Sequence, residues 1–393
     1  MTMSWHQDFP AIKHAQGSYL DSASSCQVPN RVIKAINDYL TQGHGNPHRG
    51  MYAFSENANH IMQQCRANVA QFINASEKQI IFTSGTTESI NQVTSHLSDK
   101  IKPNHSILVT QMEHHANLLP WQRLASNTGA KLNVLPFKSD FTFDLALLEK
   151  HLSDRCAIFA CTQASNVLGN FLDLTPMMKL AKSYGVTTLI DGAQAIAHYP
   201  VDVVAIDCDF YAFSGHKLYA PSGIGVLYCR TPSAFTPHHL GGGIVKRVTH
   251  SNYLLNDDIS QFEAGTPNMP AIVGLNAALK YFNLLDKHAV WEHENQLIQL
   301  ALHQLKSLNV KIHSSLNSRH LISFTSKAFH SHDIATVLAD NQISVRAGHH
   351  CAQPCLAAMK LKHCVRVSVA MYNTEQDIMN LLTCLKKLPA ILN

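Results

Sequence analysis

The sequence has few charged residues and no long apolar run. Asp, Glu, Lys and Arg make up only 15% of the 393 residues, against 46% hydrophobic residues, a balance that argues against disorder. No stretch reaches the roughly 18 to 20 uninterrupted apolar residues of a membrane span, so we expect no membrane association. The formal net charge of +4 is small and scattered, which gives no indication of a nucleic-acid partner.

We also expect no export signal, and the sequence shows no internal repeats and no low-complexity linkers. Its first residues have neither the basic start nor the apolar core of a signal peptide. The ten cysteines are dispersed through a long sequence. Dispersed cysteines without an export signal favour free thiols in a reducing compartment. We therefore expect a cytoplasmic protein.

Short β-branched runs alternate with helical stretches between about residues 79 and 229. Thr175 and Pro176 predict the N-cap and first turn of a helix over 177–184. Alternation of this kind predicts an α/β fold with a mixed, mostly parallel sheet, in which ligands bind at the carboxyl ends of the strands. The predicted buried strands are 79–83, 106–110, 131–137, 157–161 and 187–191.

The pattern changes after about residue 290 and predicts a smaller α+β domain. We divide the chain into an N-terminal segment 1–18 that packs near the small domain, a large domain 19–285 and a small C-terminal domain 286–393. The elements predicted for the small domain are helices over 291–307 and 333–339, strands at 321–325, 344–347 and 365–369, and a last helix after the cap Thr374.

Lys217 and Asp191 follow two successive apolar runs. Asp191 ends the predicted strand 187–191, and Lys217 closes the motif Ser214-Gly215-His216-Lys217. A lysine amine bonds covalently to the aldehyde of pyridoxal phosphate, and a carboxylate pairs with the protonated pyridine nitrogen so that the ring withdraws electrons. A lone aspartate at a strand end is more commonly a turn former. With Gln194 and Lys217 nearby, the pair indicates a pyridoxal-phosphate enzyme.

The motif Ser84-Gly85-Thr86-Thr87 follows the predicted strand 79–83 and opens a helical stretch. Such a turn offers free backbone N–H groups and the positive end of the helix dipole to a phosphate. An ordinary threonine cap would have the same signature. Ser214 and His216, after a later strand, add further donors and favour the phosphate interpretation.

Cys351 lies in a glycine-flanked, histidine-rich turn, and Arg366 lies in the predicted strand 365–369. Free cysteines are often buried core residues, but a polar turn argues against burial. Hydrogen-bonding or cationic neighbours also lower the pKa of a thiol and favour the reactive thiolate. We interpret Cys351 as a nucleophile. The planar guanidinium of Arg366 matches an amino-acid carboxylate, although a surface ion pair is the commoner use of arginine.

Two metal sites are alternatives that the spacing does not favour. His350, Cys351, Cys355 and Cys364 match no common zinc module, and the histidine pair after Glu113 has no third ligand nearby. We predict no metal site. Cys355 as a resolving or relay thiol is a further hypothesis.

These motifs occur in an order that resembles the cysteine desulfurases of the class V aminotransferase superfamily, in the group II subgroup of the SufS and CsdA types. The likeness covers nearly the full length. It rests on Leu20-Asp21-Ser22-Ala23, His48-Arg49-Gly50, Gly85-Thr86-Thr87-Glu88, Glu113-His114-His115-Ala116-Asn117, Ser165-Asn166-Val167-Leu168-Gly169, Asp191-Gly192-Ala193-Gln194, Ser214-Gly215-His216-Lys217, Phe262-Glu263-Ala264-Gly265-Thr266-Pro267-Asn268, Arg346-Ala347-Gly348-His349-His350-Cys351 and Tyr372-Asn373-Thr374.

The resemblance implies a pyridoxal-phosphate-dependent transferase of fold type I, with Thr266 reaching the phosphate from the second subunit of a homodimer. The implied catalytic residues are Cys351, Lys217 and His114. The implied cofactor-binding residues are Lys217, Asp191, Gln194, His114, Thr86, Thr87, Ser214, His216 and Thr266. The implied substrate-binding residues are Arg366, Asn166, Arg346 and His48.

The resemblance also implies a reaction. L-cysteine would become L-alanine, with a persulfide left on Cys351 and passed to a SufE- or CsdE-like acceptor for iron–sulfur cluster assembly. Selenocysteine and cysteine sulfinate are further substrates to consider, and another class V enzyme, an aminotransferase or a kynureninase-like protein, is the alternative. Four positions depart from the family pattern without removing a proposed catalytic group: Ser84, Ala220, Ser222 and Gln261.

Overall fold

The structure is a computed structural model that describes residues 5–47, 50–153 and 155–392. Its strands are β1 (Ser18–Tyr19), β2 (Ile80–Thr83), β3 (Ser106–Thr110), β4 (Lys131–Leu135), β5 (Cys156–Thr162), β6 (Thr187–Asp191), β7 (Phe210–Ser214), β8 (Gly225–Cys229), β9 (Val245–Val248), β10 (Tyr253–Leu255), β11 (Val310–Ile312), β12 (Leu321–Ser326), β13 (Ile343–Ser344), β14 (Arg346–Gly348) and β15 (Cys364–Ser368). Its α-helices are α1 (Pro10–His14), α2 (Asn30–Gln42), α3 (Ala53–Phe72), α4 (Thr86–Leu97), α5 (Leu119–Thr128), α6 (Leu145–His151), α7 (Leu174–Ser183), α8 (Val203–Ile206), α9 (Met269–Asn283), α10 (Lys287–Leu305), α11 (Ser331–Asp340), α12 (Gln353–Ala358) and α13 (Glu375–Leu392).

Seven strands form the central sheet, in the order β2-β8-β7-β6-β5-β3-β4. Neighbours pair in parallel except at the two edges of β8, which runs against the other six. Every residue of β2, β7 and β8 is buried, as expected of apolar runs that helices cover on both faces. The α/β fold with a mixed, mostly parallel sheet is confirmed.

The predicted strands 106–110 and 187–191 coincide with β3 and β6. The predicted strand 131–137 ends earlier, at Leu135. The predicted cap of α7 was wrong. Asp173 caps this helix, because its carboxylate accepts the backbone N–H of Thr175 at 3.3 Å, and the helix therefore begins at Leu174.

A second, antiparallel sheet has the order β11-β12-β15-β14. Its apolar face packs against α10, α11 and α13 around a core of its own, to which Leu20 also contributes. The predicted strand 344–347 is two strands: β13 pairs in parallel with β1, and β14 pairs with β15. The boundaries 19–285 and 286–393 stay predictions.

The N-terminal residues contact both parts of the chain. His6 Nδ1 lies 3.1 Å from the carbonyl oxygen of Tyr372, and Asp8 accepts a hydrogen bond from the Tyr281 hydroxyl at 2.7 Å. The Phe9 ring packs edge-on against Tyr372, with ring centroids 4.8 Å apart. Preferential packing of the segment 1–18 near the small domain stays a prediction.

The topology brings chemistry-bearing loops to one edge of the central sheet. The strands β2, β3, β5, β6 and β7 run in the same direction, so the segments that follow them meet at the carboxyl edge. The strands β14 and β15 supply residues to the same place. Within the described residues, no helix combines the length and apolar character needed to cross a membrane.

Candidate active site

A cavity of about 390 Å³ lies at this edge of the sheet. It collects side chains from the segments after five strands of the central sheet and from the second sheet. The residues that line it are Ala23, Ser24, Ser25, Thr86, Thr87, His114, Ala116, Thr162, Ala164, Asn166, Asp191, Ala193, Gln194, Ser214, His216, Lys217, Arg346, His350, Cys351 and Arg366.

Lys217 and Asp191 face this cavity from neighbouring strands. Asp191 ends β6 and accepts the backbone N–H of Ala193 at 2.9 Å. Burial raises the pKa of Asp191, and burial lowers the pKa of Lys217 to about 8, against the opposing effect of Asp191. A lysine with this pKa has a substantial neutral fraction near neutral pH and is therefore a nucleophile or base.

The helix α4 begins at the cavity. The backbone N–H of Thr86 donates to Ser214 Oγ at 2.9 Å, and Thr86 Oγ1 lies 2.8 Å from the same oxygen. Gly225 permits this arrangement, because a Cβ on it would lie 2.4 Å from the Cα of Gly85. The site therefore combines a helix N-terminus with hydroxyl groups, which is an arrangement that binds phosphate.

His114 lies in the loop after β3. Its Nδ1 accepts the backbone N–H of Ala116 at 3.0 Å, which leaves the proton of a neutral ring on Nε2. Burial and the charge of Lys217 lower the pKa of His114 to about 3. His114 is therefore a neutral imidazole at physiological pH, suited to stacking on an aromatic ring.

Glu113 turns away from the cavity into the protein interior. Its carboxyl group accepts hydrogen bonds from the Asn117 amide at 2.6 Å and from the backbone N–H of Thr162 at 3.0 Å, and it also contacts Thr110 Oγ1. The carboxyl group of Glu113, which follows β3, is thus held by hydrogen bonds in the protein interior. No set of three or more His, Cys, Asp or Glu side chains among the described residues is arranged to hold a metal ion.

Arg366 is only 3% exposed and projects from β15. One Nη donates to the carbonyl oxygen of Asn166 at 3.0 Å, and the other donates to Ser24 Oγ at 2.7 Å and to Asp21 at 3.2 Å. Its Nε has no hydrogen-bond partner among the described residues. Arg346 donates to Asp21 at 2.9 Å and is half exposed. A buried donor without a partner favours an anionic ligand here.

Cys351 is the exposed member of the ten cysteines, and the other nine are buried. Its carbonyl oxygen accepts the backbone N–H of His115 at 2.7 Å, and the side-chain amide of Asn166 donates to the carbonyl oxygen of His350 at 2.7 Å. The loop with the exposed thiol is thus fastened to the loops after β3 and β5. Burial raises the pKa of the Cys355 thiol to about 12, which disfavours its ionisation.

The structure does not bring every predicted site residue into the cavity. Gln194 lines it, with its amide donating to the carbonyl oxygen of Ala23 at 2.8 Å. Thr266 is exposed and does not line the cavity of its own chain. His48 lies outside the described residues. Asp21 accepts hydrogen bonds from both Arg346 and Arg366. We predicted no such role from the sequence, because motif spacing gives no signal for contacts between residues so far apart along the chain.

Comparisons with known proteins point to one family. The family model Aminotransferase class-V matches residues 18–381. A cysteine desulfurase of Shigella flexneri is 39% identical over 98% of this chain and 97% of its own length. The crystal structure of the cysteine desulfurase CsdA (S-sulfonic acid) from Escherichia coli superposes with a TM-score of 0.93 at 37% identity, covering 98% of both chains. The apo structure of a cysteine desulfurase from Thermococcus onnurineus gives 0.94 at 34% identity, covering 98% of this chain and 96% of that one.

The chain belongs to the class V aminotransferase family. Its similarity over the full length is to the cysteine desulfurases of that family. The predicted family, the enzyme class and the cofactor pyridoxal phosphate are thereby confirmed. The individual roles predicted for the site residues stay predictions.

The residues of the cavity fit pyridoxal phosphate. The donors Thr86, Thr87, Ser214 and His216 all line the cavity, and Thr86 and Thr87 lie in the first turn of α4, where a phosphate would bind. The buried carboxyl group of Asp191 faces the same space, which suits the protonated ring nitrogen. The unpartnered Nε of Arg366 completes a site for an anionic substrate group.

Proposed function

We propose that this protein takes the sulfur of L-cysteine onto Cys351 as a persulfide, releases L-alanine, and passes the sulfur to a SufE- or CsdE-like acceptor protein. The observation that carries the proposal is the composition of one cavity. It contains an amine with a lowered pKa (Lys217), a buried guanidinium with an unpartnered donor (Arg366) and the exposed thiol of the chain (Cys351).

Eight residues of the cavity would hold the cofactor. Lys217 would bond to its aldehyde, Asp191 would pair with the ring nitrogen, His114 would stack on the ring and Gln194 would bind the ring hydroxyl. Pyridoxal phosphate, when bound, supplies an electron sink beside the α-carbon of the substrate. The phosphate would be held by Thr86, Thr87, Ser214 and His216, with Thr266 reaching it from the second subunit of a homodimer.

Arg366 would bind the carboxylate of L-cysteine. Its Nε is a buried donor without a partner among the described residues, and its two Nη atoms are fixed by Ser24, Asp21 and Asn166. A guanidinium held in this way presents one free N–H donor, that of Nε, and needs no reorganisation on binding. Asn166, Arg346 and His48 would assist at the same end of the substrate.

Two groups of the cavity carry out the sulfur transfer: Lys217 accepts a proton, and Cys351 is the nucleophile. Lys217 Nζ accepts the proton from the α-carbon and returns it there after the sulfur has left. The Cys351 thiolate forms an S–S bond with the substrate sulfur while the Cβ–Sγ bond breaks, and the electron pair of that bond stays on Cβ, which is then protonated. Cys351–SH and L-cysteine thereby give Cys351–S–SH and L-alanine, with no outside oxidant or reductant.

Replacing Cys351 by alanine tests the proposal. The variant Cys351→Ala is expected to keep the absorbance of bound pyridoxal phosphate and to lose sulfide release from L-cysteine in the presence of a reductant. Cys355→Ala, four residues later on α12 and buried, is the matched control and should retain release. In the wild type, intact-mass analysis should find one added sulfur that maps to Cys351. Retained release in Cys351→Ala would contradict the proposal, whereas the alternative, an aminotransferase or kynureninase-like enzyme, needs no cysteine nucleophile.

The exposure of Cys351 supports delivery of the sulfur to another protein, because a protein acceptor must reach the persulfide. We propose that the acceptor protein delivers the sulfur to iron–sulfur cluster assembly in the cytoplasm. An acceptor of the SufE type should remove the added sulfur from Cys351 and accelerate turnover. Selenocysteine and cysteine sulfinate have related leaving groups, and the ratio of kcat/KM values for the three substrates ranks them.

A further inference from the structure

The turn that carries Cys351 has an uncommon backbone conformation. His350 and Cys351 have φ values of 51° and 52°, and Gly348 before them has a φ of 129°. Residues other than glycine rarely adopt left-handed backbone angles, and two such residues in succession are unfavourable. Such conformations persist only where surrounding contacts determine them, and they concentrate at functional sites.

Several hydrogen bonds hold this turn from different parts of the chain. The backbone N–H of His115 donates to the carbonyl oxygen of Cys351 at 2.7 Å. The Asn166 side chain donates to the carbonyl oxygen of His350 at 2.7 Å, and the His350 ring lies 3.1 Å from the carbonyl oxygen of Cys364. These contacts fix both carbonyl groups of the two left-handed residues.

The remaining backbone donor at the cysteine is held within the turn. The N–H of Cys351 donates to His349 Nδ1 at 3.1 Å. A side-chain acceptor that binds the N–H two residues later mimics a backbone turn, as asparagine and aspartate do in Asx turns. His349 is exposed and does not line the active-site cavity. Its imidazole therefore acts on the backbone of Cys351 and not on the substrate.

We propose that His349 is a positioning residue for sulfur transfer: its Nδ1 holds the N–H of Cys351 and so fixes the left-handed turn that presents the thiol to the cavity. The inference rests on the proposed role of Cys351 as the sulfur-accepting nucleophile. Because attack on sulfur requires aligned atoms, loss of this bond slows persulfide formation without removing the thiol or the cofactor.

Three substitutions at one position separate this role from general packing. His349→Ala removes the acceptor, His349→Leu retains bulk without an acceptor, and His349→Asn restores an acceptor for the same N–H. The matched control is His330→Ala. His330 is also exposed, and its Nδ1 accepts the N–H of His332 at 3.3 Å, which is the same local bond at the start of α11.

The experiment uses the pyridoxal-phosphate-loaded enzyme in a single turnover with L-cysteine, and intact mass follows the added sulfur on Cys351. We expect His349→Ala and His349→Leu to form the persulfide between about tenfold and a hundredfold more slowly. His349→Asn should recover most of the rate, and His330→Ala should match the wild type.

Two further measurements show that the variants are folded and that the thiol is intact. The absorbance of bound cofactor should be unchanged. Iodoacetamide should alkylate one cysteine, Cys351, since the other nine are buried. The rate of alkylation should be no lower than in the wild type, because the Cys351 thiol stays accessible.

The proposal is overturned if His349→Ala forms the persulfide at the wild-type rate, if His349→Asn is as slow as His349→Ala, or if His330→Ala is equally slow. A parallel fall in the iodoacetamide rate would also overturn it, since His349 would then control thiol reactivity and not position. Failure of the proposed function is a separate result, because the wild type itself would then carry no added sulfur on Cys351.

Discussion

The guanidinium of Arg366 donates a hydrogen bond to the carboxylate of Asp21 at 3.2 Å across a separation of 345 residues. Both side chains are largely buried, with exposures of 3% and 13%. Asp21 compensates the buried positive charge while the Nε of Arg366 keeps no partner among the described residues. The pair thus keeps a cation in the protein interior and leaves one of its donors for a ligand.

Replacing Arg366 by glutamine should weaken the binding of L-cysteine. A hydrogen bond to a charged group contributes about 1.5 to 3 kcal/mol, so we expect KM to rise between about tenfold and a hundredfold. Steady-state kinetics of alanine formation measures this change. Arg230→Gln, which removes a surface arginine paired with Asp207, is the control. An unchanged KM in Arg366→Gln would contradict the assignment of Arg366 to the substrate carboxylate.

Lys217 should react with the cofactor aldehyde at a lower pH than an ordinary lysine. Burial lowers the pKa of Lys217 from 10.5 to about 8, and the neutral amine is the reactive form. The rate of cofactor bonding to cofactor-free protein should therefore rise about tenfold per pH unit below pH 8 and level off above it. Stopped-flow absorbance measures the rate, with Lys217→Ala as the blank. A rate that continues to climb beyond about pH 9.5 would refute the lowered pKa.

Glu113 should make folding stability depend on pH. Burial raises the pKa of Glu113 from 4.5 to about 8, so the folded protein binds the proton more tightly than the unfolded chain. The stability contributed by this group is complete below about pH 4.5 and is lost as pH rises toward about 8, by about 1.4 kcal/mol per unit at most. Glu113→Gln keeps a neutral side chain and should remove this dependence.

Urea unfolding of the wild type and Glu113→Gln at several pH values measures the Glu113 contribution as a difference. The free energy of unfolding of the wild type should fall relative to that of the variant between about pH 5 and 8. Two parallel pH profiles would rule out the raised pKa of Glu113. Glu149→Gln, at an exposed carboxylate on α6, is the control.

Thr266 tests the expected homodimer. It is exposed and does not line the cavity of its own chain, so the expected phosphate contact would come from a second subunit. We expect Thr266→Val to raise the dissociation constant of pyridoxal phosphate by about tenfold while sedimentation still finds a dimer. Thr336→Val, at an exposed position on α11, is the control. A dimer with unchanged cofactor affinity would exclude this role of Thr266.

Local patterns in the sequence predicted the bounds of five of the seven strands of the central sheet with small errors. The runs that became β3 and β6 have the predicted bounds, because a buried parallel strand requires a continuous apolar run that a single window reveals. The helix α7 begins before its predicted cap, because Asp173 and Thr175 are both good capping residues and the geometry selected Asp173. The break between β13 and β14 has no local signal, because it arises when β13 pairs with β1 and β14 pairs with β15.

The sequence by itself determined the fold class, the family and the pyridoxal-phosphate chemistry, because Asp191, Lys217 and Cys351 lie in short motifs whose residue types carry their chemistry. The tertiary structure decided how these groups are supported. Asp21 compensates Arg366, and His115, Asn166 and His349 hold the turn around Cys351. Three of these four contacts join residues that are distant along the chain. Their energies depend on burial and hydrogen-bond geometry, which exist only once the sheets and loops have packed together.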